Sequence, residues 1–181
     1  GFLVALCLAA AYTAMGAAWL IYKTEGALQE KAVRWLRSAL VLTVLGMGAV
    51  SLATPLASPR IFDKWFAFPA MLWLTPLPLA TAGLFLVLWL RSAALPHPQD
   101  RHALLPFCIL SVIFALGFAG LAYSFYPYVV PEKLTIWQAA AAPESLAIIL
   151  AGTLFVLPVI IFYSIYAYRV FGGKAGDLSY D

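Results

Sequence analysis

Apolar residues in this chain come in long runs separated by short polar connections. A helix that crosses the hydrocarbon core of a bilayer needs about 20 consecutive apolar residues. On that measure the runs predict spans over about 1–22, 38–56, 65–90, 103–125 and 146–168. No Asp, Glu, Lys or Arg lies in the interior of any of them, and three close on a basic residue: Lys23, Arg91 and Arg169. The predicted fold class is all-α, a polytopic integral membrane bundle of about five helices forming a single transmembrane domain over 1–181. The one long connection is an outer loop over 126–145. The chain starts at Gly1, already inside an apolar run and without the charged leader of a secretory signal, so it reads as a piece of a longer polypeptide.

Departures from plain apolarity refine the pattern. The third run contains Pro69, Pro76 and Pro78. Each proline withdraws a backbone donor and crowds the preceding turn, so a kink or unwound turn is expected near Thr75 to Pro78. Pro158 should bend the fifth span more gently. Ala10, Ala14 and Ala18 recur at four-residue spacing, as do Ala115 with Ala119 and Ala147 with Ala151. Small residues so spaced let helix backbones approach closely, although alanine is common in apolar segments anyway. Trp19, Trp35, Trp65, Trp89 and Trp137 fall near span ends, where an amphipathic ring prefers the headgroup level, whereas Trp73 would sit deeper. Within 126–145, Pro131 and Pro143 bracket Leu134 to Ala142, which could form one short interfacial helix. Ile136 and Trp137 would then face the membrane or a partner, with Thr135 and Gln138 toward water.

Composition agrees: 64% of the residues are hydrophobic and 10% charged, against about half and a quarter in soluble domains. The formal net charge of +3 does not point to nucleic acid, because the basic residues are dispersed through short connections. Lys23, Lys31, Arg34, Arg37, Arg91, Arg101, Arg169 and Lys174 share one side of a five-span topology, and Arg60, Lys64 and Lys133 the other. Cytoplasmic loops carry the Lys and Arg excess, which puts the C-terminal tail in the cytoplasm and the start of the chain outside.

Candidate chemistry is sparse. Intramembrane charges usually mark ion or proton routes, and these spans have none. His97 and His102 both lie in the connection between the third and fourth spans, where solvated loop residues are a better reading than haem or metal ligands. Cys7 and Cys108 sit singly inside apolar runs, without a CxxC motif. No catalytic, cofactor-binding or metal-binding residue is therefore assigned. The most distinctive polar group is Lys23-Thr24-Glu25-Gly26. Lys23 complements a helix C-terminus and Gly26 suits a C-cap. The alternative is that Lys23 or Glu25 anchors a partner subunit, a role also open to Trp137.

Two stretches carry a family resemblance. GAAWLIYKTEGALQEKA (Gly16 to Ala32) and YPYVVPEKLTIWQAAAAPESL (Tyr126 to Leu146) resemble characteristic stretches of subunit II of cytochrome bd-type quinol oxidases. The order and spacing of the spans is similar to the C-terminal half of that subunit. The resemblance implies a respiratory terminal oxidase of the bacterial plasma membrane that oxidises quinol and reduces dioxygen to water. It implies a heterodimer with subunit I, which holds haem b and haem d. Membrane lipid and the quinone pool are the other implied partners, with a structural quinone in subunit II of some members. Glu132-Lys133 stands where members often have a small or proline-rich pair. A reading from another class is half of a membrane transporter or permease, whose broken third span would line a solute path.

Overall fold

A computed structural model describes residues 2–96, 102–130 and 132–174. They fall into two compact units, residues 2–124 with Lys174, and Phe125–Gly173.

The first unit begins with α1 (Phe2–Lys23), which turns back through Thr24 and Glu25 into α2 (Gly26–Ala57). Backbone polar groups within a bilayer need partners from the protein, because lipid supplies none. At this turn Thr24 donates both its N–H and its hydroxyl to Leu20 O, at 2.9 and 2.7 Å. The buried Gln29 reaches back from α2 and donates Nε2–H to Ile21 O at 2.9 Å. Gly26 takes the left-handed conformation, φ 60°, but it does so as the first residue of α2 rather than as the cap of α1.

Along α2 the buried positions Gln29, Ala32, Val33, Leu36, Ala39, Leu40 and Thr43 follow one helical stripe. It meets Ala14, Ala17, Ala18 and Ile21 of α1. A methyl group at Gly46 would overlap the Cys7 side chain, which marks a close approach of the two helices. Lipid tails are as apolar as leucine, so shape-matched packing rather than escape from water holds such a pair together. At about 1.5 Å per residue, the 32 residues of α2 extend about 48 Å and outrun the hydrocarbon core of about 30 Å. The surplus is the first three turns, which carry Glu30, Lys31, Arg34 and Arg37.

After α2 come α3 (Pro59–Phe66), α4 (Ala70–Leu74), α5 (Pro76–Ser92) and α6 (Leu105–Phe125). The third span starts at Ala70, not at Trp65. Trp65 belongs to α3, a separate short helix that Ser58 and Pro59 open and that stops before Phe68-Pro69. A residue preceding proline is driven out of the helical region, which separates α3 from the span. The break expected near Thr75 to Pro78 is present at Thr75, between α4 and α5. Thr75 bridges it by donating its N–H and hydroxyl to Met71 O, at 3.0 and 2.6 Å. Phe85 and Leu88 of α5, with Ile109, Leu110 and Ile113 of α6, complete the core against α1 and α2.

The small-residue spacings divide. Ala14 and Ala18 are buried, whereas Ala115 and Ala119 are exposed, and α6 buries Pro106, Ile109, Leu110, Ile113, Gly120 and Ser124 instead. In α6 the packing face is the bulky one, so alanine spacing alone did not locate the contact.

The second unit holds β1 (Tyr128–Val130), β2 (Leu134–Thr135), α7 (Ile136–Ala139) and α8 (Pro143–Val170). In place of one interfacial helix over 134–142, the outer connection forms an antiparallel hairpin of β1 with β2 and then a single helical turn. Glu132, at φ 61°, sits in its turn. Thr135 and Gln138 form a capping box: the Gln138 N–H donates to Thr135 Oγ1 at 3.3 Å and the Thr135 N–H to Gln138 Oε1 at 3.0 Å. Helix α8 runs on through Pro158, and none of its residues is buried, Ala147 and Ala151 included.

Candidate functional site

A groove of about 830 Å³ lies among α2, α3, α5 and α6 of the first unit. Pockets of about 300–1,000 Å³ are the usual size for bound small molecules. Its walls are almost wholly apolar, from Leu40 to Pro55 on α2 and from Leu77 to Trp89 on α5. Those spans correspond to about 20 Å of helix. At one end the Arg37 guanidinium stacks on the Trp89 ring, 4.8 Å from its centroid.

Three of the wall hydroxyls bond their own helices, and a fourth, Ser51, also lines the groove. Thr54 donates to Val50 O at 2.7 Å, Thr81 to Leu77 O at 2.9 Å and Ser124 to Gly120 O at 2.8 Å. This local bonding is how Ser and Thr are usually satisfied in apolar helices. It leaves these three protons unavailable to a ligand.

At the other end Trp65, Phe66 and Ser124 line the groove, and a basic and aromatic cluster adjoins them. Arg60 and Lys64 are one turn apart on α3 and share a face. Lys64 Nζ donates to Tyr123 O at 2.6 Å and lies 4.2 Å from the centre of the Tyr123 ring. Arg60 Nη2 donates to Ser124 O at 3.5 Å. Trp65 Nε1 donates to Ser124 Oγ at 2.9 Å, and its ring meets Tyr123 edge-on at 6.0 Å. Two cations thus meet the terminal carbonyls of α6, the negative end of that helix dipole. Burial, and then the Arg60 guanidinium, hold the Lys64 ammonium below its usual pKa.

The residues singled out from sequence lie elsewhere. Lys23 Nζ sits over the rings of Trp19 and Tyr22, 5.6 and 5.5 Å from their centres, and Trp19 in turn packs on Phe107 at 5.1 Å. Glu25 pairs with Lys174 of the same chain at 3.4 Å. Lys23 and Glu25 therefore flank one turn. Trp137 belongs to the other unit, exposed and edge-on to Tyr126 at 6.1 Å. His102, at φ 75°, is exposed just before α6 and lines a small recess with Arg91. His97 lies outside the described residues. Among the described residues no group of three or more His, Cys, Asp or Glu is placed to hold a metal ion.

The basic rim escaped the sequence reading, which treated Arg60 and Lys64 as topological charges only. Ser58-Pro59 followed by cations four apart was the available signal, since it reads as a helix start with a basic face. Their meeting with Tyr123 and Ser124, some sixty residues on, has no local signature.

A family model described as "Cytochrome bd terminal oxidase subunit II" matches residues 1–171. A search of curated proteins found no match.

Proposed function

Because the chain belongs to the cytochrome bd terminal oxidase subunit II family, we propose that it is the non-haem subunit of a complex that oxidises quinol and reduces dioxygen to water. The observation that carries this reading is the family match across 1–171, joined to five helices among the described residues that are long and apolar enough to span a membrane. In this proposal haem b and haem d sit in subunit I, with which the chain forms a heterodimer in a bacterial plasma membrane. The C-terminal tail lies in the cytoplasm, on the side that carries eight of the eleven Lys and Arg.

The chain's own part is structural. Spans without Asp, Glu, Lys or Arg in their interiors give proton and charge movement no foothold here, which leaves those routes to other parts of the complex. A structural quinone would need donors for its two carbonyls. In the groove Thr54, Thr81 and Ser124 already donate to their own helices, and Ser51 is the remaining hydroxyl of its wall. Trp137, exposed in the second unit, is the candidate contact for subunit I, and Lys23 with Glu25 is the alternative that a loss of assembly on their substitution would favour.

A transporter reading would draw on the broken third span. At that break, however, Thr75 caps Met71 O twice over, and the family points to an oxidase. The deciding experiment is co-expression with a subunit I of the same family, and purification through a tag on this chain. A haem-containing complex with quinol-dependent oxygen uptake is the expected result. Recovery of the chain without a haem partner, together with solute movement in vesicles, would overturn it.

A further inference from the structure

We propose that the recess between the end of α5 and the start of α6 binds a phosphate group, held by Arg91 and His102. The recess encloses about 180 Å³, and Arg91 and His102 are the two polar side chains among the described residues that line it. A water molecule takes about 30 Å³ and a drug-sized ligand about 300 Å³ or more, so the space suits one small polyatomic ion or headgroup.

Both side chains have donors to spare. Arg91 is exposed in the last turn of α5, and His102 is exposed three residues before α6. Among the described residues, no hydrogen bond or ion pair engages either side chain. Lys64 and Lys174 differ, since their ammonium groups already meet Tyr123 O and Glu25. No Asp or Glu stands in 88–96 or 102–106, the stretches that form the recess. The positive end of the α6 dipole adjoins the same space, because Leu105 and Pro106 line it. Arg37, stacked on Trp89 two residues before Arg91, adds a further positive charge nearby. A guanidinium is a planar fork that matches phosphate oxygens, and an imidazole donates an N–H in either protonation state. The rest of the lining is apolar: Leu88 and Pro106 are buried, and Leu95 and Leu105 half-buried. A lipid phosphate brings glycerol carbons that such a lining covers, whereas a free ion brings none. The recess also lies at the ends of two membrane-length helices, where headgroups are expected.

The test needs only that the chain folds in detergent, so it stands apart from the oxidase reading. The full chain, in whatever complex it purifies, is placed in dodecyl maltoside, which carries no phosphate. Hydrogen exchange is read at Ala94, Leu95 and residues 102–105. Added phosphatidylglycerol should slow exchange there about tenfold, as for a ligand at about ten times its dissociation constant. Slowing by phosphatidylglycerol alone identifies a lipid phosphate, and slowing by inorganic phosphate as well identifies the phosphate whatever its source. No slowing by either overturns the proposal, and so does equal slowing by oleate, an anion without phosphate. The Arg91→Gln, His102→Gly variant should lose the effect; glycine tolerates the positive φ of His102. Slowing that survives in this variant, or that Arg37→Gln removes equally, would show a diffuse charge effect in place of a site.

Discussion

Helices α1 and α8 are both long, apolar and free of charge in their interiors, and both carry alanines at four-residue spacing. Yet Ala14 and Ala18 of α1 are fully buried, while α8 buries nothing. Apolarity is therefore no measure of packing in a membrane protein. It is the entry condition for the bilayer, and contact is decided by whether a surface of matching shape is supplied. For α1 that surface is the Gln29 to Thr43 stripe of α2, with Gly46 opening room for Cys7. Polar groups tell the same story: the turn joining α1 to α2 is bound by Thr24 and the buried Gln29, whereas Thr153 of α8 simply donates to Ile149 O of its own helix.

The contrast can be broken most directly at glycine. Gly46→Leu would drive a side chain into Cys7, and overpacking of this kind costs about 1–3 kcal/mol or more. We expect a loss of that size in reversible unfolding from bicelles. Gly152→Leu in α8, where an added Cβ meets nothing within 4 Å, should leave the same measurement unchanged. Equal losses at both positions would erase the distinction.

A somewhat smaller effect is expected at Gln29→Leu. It strands Ile21 O at a buried site, and an unsatisfied buried group costs about 1–3 kcal/mol. Faster hydrogen exchange confined to residues 20–30 would sharpen the comparison, and an unchanged exchange pattern would contradict it.

In the second unit, Thr135→Ala removes the capping box of α7 at a cost of about 1 kcal/mol. The change should appear as local exchange over 136–139 with the unfolding midpoint preserved.

The least effect is expected from Lys23→Gln with Glu25→Gln. The Glu25–Lys174 pair is solvent-exposed on the Glu25 side, and such pairs contribute about 0–1 kcal/mol. Assembly on a blue-native gel should be nearly intact, and its loss would assign the pair to a partner contact.

How much of this was legible beforehand follows from the same physics. The bilayer forces spans of about 20 apolar residues, so five runs could be read as helices, although α2 starts at Gly26, twelve residues before the apolar run at 38, because its charged first turns lie beyond the hydrocarbon. Pro76 and Pro78 withdraw the donors that Leu72 O and Leu74 O would otherwise meet, so the break at Thr75 was readable as well. The hairpin was not: Glu132 adopts a positive φ without the Gly or Asn that normally announces such a turn. Trp65 misled for a related reason, since its apolar neighbours extend the third run although Phe68-Pro69 cuts the helix. The groove rim was the least legible, because it rests on contacts between α3 and the end of α6 rather than on any local pattern.

The central claim is that this chain supports redox chemistry held in another subunit. Haem per polypeptide, read by pyridine haemochrome on the tagged chain purified alone and again with subunit I, tests it most directly. The account predicts haem b and haem d in the complex and none on the isolated, folded chain. Stoichiometric haem on the isolated chain would contradict it.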